Sequence, residues 1–398
     1  MDTNDTIKKR LKNRIDRFCE NKINAFSPTV SPAPKSPERN EIESISEAVR
    51  YFYQHNVHEI VVQRKYMGSY CDIYLFKDVS NTYFVSRNGY KINHIDLQLA
   101  KKSCRALHRR FNWDGLAMVI IQSELMPWSV LGKSLIENDF LGYLTVHKTH
   151  YQFLTHSDLY EKIEKVKQSA AYKAFKADRD VLTVKELAQK YPPHICRQYT
   201  SLSEFKVLDL NSYRENIAVY EEQINHFGRE EAMYFKPFNV LKKVMDDGTE
   251  LLVNDNLSYR EINDDECLHF TIDSENAMEN AIEQIYAWFD LLSSNMEEGI
   301  VIKPRTAFVR NLPPALKIRN NRYLTMIYGV DFQEKYLQHI QKRNIKRKLE
   351  CSINDWMLNW EMLKIKYAEI NKENQMFKNL TFDRIMGEQM EANLDIRL

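Results

Sequence analysis

Residues 59–76, EIVVQRKYMGSYCDIYLF, hold two strand-like runs and the turn between them. EIVVQR has the length and β-rich composition of one strand, and VVQ reads as buried on both faces. YCDIYLF alternates, with Ile73 and Leu75 on one side. Between the runs stand Lys65 and Gly68, the glycine where the chain must turn. Lysine at a strand exit is a nucleophile if held dry and a solvated charge if not. One short motif does not choose between the two.

Upstream, Ile45, Ala48, Val49 and Phe52 fall on one helical stripe. Downstream, TYFVSR (82–87) and GLAMVIIQ (115–122) read as strands, as do 233–241, 250–253, GIVIKP (299–304) and YLTMIYG (323–329). Residues 150–230 read as helical. Ser157 is the expected cap of a helix carrying Leu159, Ile163 and Val166, and Gly228 closes another that carries Tyr213, Ile217, Tyr220 and Ile224. A long helix carries Met278, Ile282, Ile285, Phe289 and Leu292, and a helical tail carries Trp356, Trp360, Leu363, Tyr367 and Ile370. The class is α+β. The expected division is a basic arm with an exposed Pro/Ser linker (1–40), a core in two parts (41–149 and 231–330), a helical insert (150–230) and a helical module (331–398). Four of the eleven prolines, between Pro28 and Pro37, mark the linker.

In 398 residues, 56 Lys and Arg stand against 55 Asp and Glu. That balance excludes a uniformly basic nucleic-acid coat but leaves room for a local basic groove. Six scattered cysteines make no C-x-x-C pair, and no signal core or membrane span is evident, so a cytoplasmic protein is expected.

Four segments in order carry a sharper message: Lys65-Tyr-Met-Gly68, Ser86-Arg87-Asn-Gly89, Glu298-Gly299-Ile-Val301-Ile-Lys303 and Lys317-Ile-Arg319. Together they resemble the K-x-x-G, S-R-x-G, E-G-x-V-x-K and K-x-[KR] motifs of the covalent nucleotidyltransferase superfamily of ATP-dependent ligases and capping enzymes. KYMGS, SELMPWS (123–129), YFKPFNVL (234–241) and LKIRNNRYLTMIYG (316–329) are similar to one branch of it. That branch is the adenylyltransferase (ligase) domain of bacterial polynucleotide kinase–phosphatase–ligase RNA-repair proteins, matched over about residues 41–330.

The resemblance implies an ATP-grasp-like ligase/nucleotidyltransferase core of antiparallel sheets flanked by helices. It implies ATP-dependent RNA ligation through a lysyl-AMP intermediate, with Mg²⁺ or Mn²⁺. Lys65 is then the nucleophile, and Lys303, Lys317 and Arg319 are the cations that stabilise phosphate charge. Glu298 is the carboxylate at the metal, held mainly through water. Gly68 lets the protein backbone turn and approach the nucleotide closely, Arg87 and Glu124 contact the ribose, and Phe238 stacks on adenine. Implied partners are RNA ends, end-healing kinase and phosphatase activities from other chains, and an RNA 2′-O-methyltransferase, with no membrane.

Arg64 stands where the family commonly carries an acid, and Arg319 where many relatives have lysine. His147, His150 and His156 fit no standard metal spacing and read as surface or packing residues. KRNIKRK (342–348) and the basic arm read either as solvated charge or as RNA-phosphate contacts. Two rivals remain at this level: a GTP-dependent capping guanylyltransferase, disfavoured by a helical rather than barrel-forming tail, and a non-catalytic RNA-end scaffold, disfavoured by the presence of Lys65, Glu298 and Lys317.

Overall fold

A computed structural model describes residues 3–228 and 232–388. In chain order the strands are β1 (Ser31–Pro32), β2 (Glu59–Lys65), β3 (Ser69–Phe76), β4 (Tyr83–Ser86), β5 (Leu116–Met126), β6 (Tyr234–Met245), β7 (Glu250–Leu252), β8 (Cys267–Thr271), β9 (Gly299–Pro304) and β10 (Leu316–Arg319). They form two five-stranded sheets, ordered β1-β10-β9-β2-β8 and β4-β3-β5-β6-β7. All pairings are antiparallel except β1 with β10. The expected α+β core of antiparallel sheets and helices is present.

Strand alternation gives the first sheet one oily and one polar face. Ile60, Val62, Ile300, Ile302, Leu316 and Ile318 point into a core closed by the helices Ile45–Gln54 and Glu275–Ser294. In the second sheet Ile73, Leu75, Val119, Ile121 and Val240 enter a separate core.

Several expectations change. YLTMIYG is not a strand: Asn321–Tyr328 is a helix, because the Asn320 side chain caps it by accepting the Tyr323 N–H at 2.8 Å. The Pro/Ser segment is not an exposed linker. Ser31 and Ala33 are fully buried, Phe26 nearly so, and β1 runs along β10 at the sheet edge, where proline's missing N–H costs no ladder bond. The arm and the helical tail are also not separate appendages. Phe18 of the helix Thr3–Glu20 packs with Trp356, Trp360 and Phe377 of the tail against Tyr74, Ile120 and Leu241 of the second sheet.

The chain divides into two units, residues 1–136 with 223–398, and 137–222. The second is entirely helical and begins earlier than the expected insert. Asp158 rather than Ser157 occupies the cap position before Leu159–Gln168. There Phe175 packs edge-on against Tyr191 and Tyr199. Tyr213 OH lies 2.6 Å from His147 Nδ1 and 3.2 Å from His150 Nδ1, so these histidines serve packing. No described helix is long and apolar enough to cross a membrane.

Candidate active site

The polar face of the first sheet collects the motif residues through register alone. Lys65 and Arg319 both pair with Gly299; Gln63 and Lys317 both pair with Val301; Lys303 pairs with Val61. Opposed residues share a face, as do residues two apart, so Gln63, Lys65, Lys303, Lys317 and Arg319 form one patch. Glycine is required at 299, since a Cβ there would overlap the Ile318 carbonyl oxygen. Gly68 is similarly constrained: a Cβ would sit 2.9 Å from the Leu125 carbonyl oxygen.

The second sheet supplies the other wall. Tyr70, Glu124 and Lys236 lie in one cross-strand row, Asp72 and Gln122 in the next. Tyr70 OH donates to Asp72 Oδ1 at 2.7 Å and accepts from Gln122 Nε2 at 2.9 Å, which in turn is held by Asn239. This network backs Phe238, whose ring meets Tyr70 edge-on at 6.1 Å and lies 4.9 Å from Lys303 Nζ. Phe238 thus stands beside Tyr70 and Lys303, and among the described residues it is not part of the apolar cores beneath the two sheets or under the tail.

Lys65 Nζ lies 2.7 Å from Glu298 Oε1. Glu298 is 1% exposed, and its Oε2 is buried without a hydrogen-bond partner. Burial drives the Glu124 carboxyl up to about 8, opposed by Lys65 and Arg87 and reinforced by Glu298. Lys303, buried, donates to Gln63 Oε1 at 2.6 Å, and burial brings its ammonium down to about 7. Lys317 falls well below the usual lysine range through burial and the nearby Arg319 and Lys65 charges. Arg319 is not free to swing onto a ligand: Glu43, whose side chain is fully buried, accepts from its Nε at 3.2 Å, its Nη2 at 2.5 Å and its backbone N–H at 2.9 Å.

Thus Lys65, Glu124, Glu298, Lys303, Lys317, Arg319 and Phe238 converge on one cleft, and Gly68 lies close against Glu124 and Leu125. Arg87 sits exposed in the turn after β4, near enough to Glu124 to act on its charge. Sequence reasoning missed Glu43 and Gln63. Gln63 had a signal, a polar residue inside an apolar strand run; Glu43 had none.

Among the described residues no group of three or more acidic, histidine or cysteine side chains is placed to cage a metal. The orphaned, buried Glu298 oxygen does fit a hard cation held mainly by water and phosphate oxygens, as Mg²⁺ prefers.

The family model for the PNKP adenylyltransferase domain, ligase domain, matches residues 17–376. Two solved structures of a Pnkp1/Rnl/Hen1 complex, one described as an RNA repair complex, each contain a chain 55% identical to this one. Each match covers 98% of this chain and 100% of that one, with TM-scores of 0.95 and 0.91. No curated protein sequence matches. By its motifs, its two-sheet cleft and the extent of the family match, the chain belongs to the PNKP adenylyltransferase (ligase) domain family.

Proposed function

We propose that this ligase acts on RNA with ATP, forming Lys65–AMP, passing AMP to a 5′-phosphate end and promoting attack by a 3′-hydroxyl. The observation that carries the reading is the Lys65–Glu298 contact at 2.7 Å, set among Lys303, Lys317 and Glu124 in one cleft. Family membership and the 55% identical chains of an RNA repair complex support RNA as substrate.

The residues divide the work by chemistry. The free amine of Lys65 attacks the ATP α-phosphorus; the new N–P bond forms as the bond to pyrophosphate breaks, and the amine proton passes to solvent or a nearby base. Lys317 faces the charge that develops on the phosphate. Lys303, fixed by Gln63, and Phe238 bound the nucleotide at the closed end of the cleft. Glu124 and Arg87 orient the ribose. Glu298 would hold a divalent cation, which supplies phosphate charge neutralisation. The 5′-phosphate oxygen of RNA then displaces Lys65 from AMP, and the 3′-hydroxyl displaces AMP. The expected partners are chains of the Pnkp1 and Hen1 type found beside the 55% identical relative.

Incubation with α-labelled ATP and Mg²⁺ tests the reading. Label should appear on the denatured polypeptide and vanish in Lys65→Ala, a loss of at least about a thousandfold for removal of a covalent nucleophile. Wild-type protein that is folded yet takes no label with Mg²⁺ or Mn²⁺ would sink it, and label from GTP alone would make it a capping-type enzyme.

A further inference from the structure

A cavity opens beside the cleft where several strands begin or end. It measures about 290 Å³, the small end for a ligand cavity, and has room for one nucleoside rather than a length of chain. Arg64, Tyr66 and Met67 reach it from the end of β2 and the turn that follows, Met126 from the end of β5, and Tyr234 and Lys236 from the start of β6. Asp265 and Glu297 close it from the loops that lead into β8 and β9. Its lining adjoins the chemical residues along the chain: Arg64 and Tyr66 flank Lys65, and Glu297 precedes Glu298. Among the described residues neither Phe238 nor Lys303 lines it, so it is separate from the end of the cleft that those two bound.

The charges in this cavity come in pairs. Arg64 Nη1 meets Glu297 Oε1 at 3.4 Å, and Lys236 Nζ donates to Asp265 Oδ2 at 2.8 Å. Such balance suits a neutral group with hydrogen-bonding edges over a bare phosphate. Tyr66 is fixed before any ligand arrives: its OH donates to Asp265 Oδ2 at 2.8 Å, lies 2.7 Å from Tyr259 OH and accepts from Asn263 Nδ2 at 3.0 Å. Arg64 is the less committed cation. A separation of 3.4 Å is long for a charge-assisted bond, and among the described residues its buried Nε has no acceptor. The half-buried rings of Tyr234 and His226 and the guanidinium plane of Arg64 are flat groups of the kind on which a nucleobase stacks.

We propose that this cavity receives the nucleoside at the RNA end being joined, with its base against Tyr234, His226 and Arg64 and its reacting group turned toward Lys65. This rests on the ligase reading. The ligand chemistry is a terminal nucleoside, and the reaction offers two sources of it: the end that bears the 5′-phosphate and the end that bears the 3′-hydroxyl.

Binding of RNA oligomers to the full-length chain separates them. One oligomer presents a 5′-phosphate and the other a 3′-hydroxyl, each dye-labelled at its far end and each compared with a copy that lacks the terminal base. Removing the base at one of the two ends should weaken binding to the wild type by about tenfold, the scale of one stacked base. The end that shows the loss identifies the source. Tyr234→Ala and Arg64→Met, two variants so that the test survives poor folding of either, should shrink that ratio to about twofold or less. Intact and abasic RNA bound alike by the wild type at both ends would overturn the subsite. So would variants that weaken intact and abasic RNA equally, or that lower affinity for AMP instead, which would make the cavity the adenine site. Binding is read without turnover. Base dependence with no label on Lys65 would sink the ligase reading alone, and label with no base dependence would sink the subsite alone.

Discussion

Two buried charge clusters in this protein obey opposite rules. Under the helical tail, Asp355 and Arg384 are 3% and 2% exposed and are matched one to one. Arg384 Nη1 lies 3.1 Å from Asp355 Oδ1, and its remaining donors go to Asn359 Oδ1 and the Ser27 carbonyl; Asp355 Oδ2 accepts from the Thr29 N–H at 2.9 Å. In the cleft the pairing among the described residues is uneven. Glu43 holds two arginines, Glu298 holds Lys65, and among the described residues Lys303 has the neutral Gln63 and the Phe238 ring but no carboxylate. The matched cluster ties the N-terminal arm to the tail. Under the proposed function, the uneven one is where phosphate oxygens would lie. Charge balance thus separates a staple from a site more sharply than burial does.

The most forceful way to break this contrast is Asp355→Ala. It leaves the Arg384 guanidinium buried and uncompensated and removes the acceptor for Thr29. Stability should fall by about 3–5 kcal/mol, read as a lowered midpoint in denaturant. Adenylylation per folded molecule should stay at the wild-type level. A loss below about 1 kcal/mol would mean that the pair is no staple.

That pair also shows where the sequence stops being legible. Asp355 and Thr29 lie 326 residues apart, and Glu43 and Arg343 lie 300 apart. No local period reports such partners. The motif strands were readable because alternation and strand length are local, whereas the candidate residues from Lys65 to Arg319 came from four ordered motifs and the family they resemble. YLTMIYG misled because aromatic and β-branched residues favour a strand, while the Asn320 cap that makes it a helix precedes the run. The Pro/Ser segment misled because its composition resembles a linker. Phe26 and Ala33, not the prolines, determine where it lies.

A second test sharpens the contrast from the other side. Lys303 is a cleft cation with no carboxylate partner among the described residues, 6% exposed, brought by burial to about 7. Because its folded pKa lies below the unfolded value, burial costs stability in full below about pH 7. That cost fades as pH rises toward the unfolded value near 10.4. Lys303→Met should therefore raise stability by about 1–2 kcal/mol at pH 6–7, shrinking at pH 9, while it lowers adenylylation. Thermal melts at the two pH values, beside the label-transfer assay, read both effects. A variant less stable than wild type at pH 6 would show that the lysine is a structural group after all.

The smallest effect lies in the bond that holds this lysine. Gln63 Oε1 accepts from Lys303 Nζ at 2.6 Å, while Gln63 Nε2 makes only a long 3.5 Å contact to the Asn256 carbonyl. In the wild type, Gln63→Leu strips a buried ammonium of its acceptor and should cost about 1–2 kcal/mol. In the Lys303→Met background the same change replaces an orphaned amide with an apolar side chain facing another, and should cost nothing or stabilise. The double-mutant cycle should therefore close with a coupling of about 1 kcal/mol, measured by denaturant unfolding at pH 7. Zero coupling would mean that water, not Gln63, solvates Lys303. The sign of the coupling thus bears on the larger contrast: a neutral partner can position a cleft cation without cancelling its charge, which leaves that charge available to the ligand.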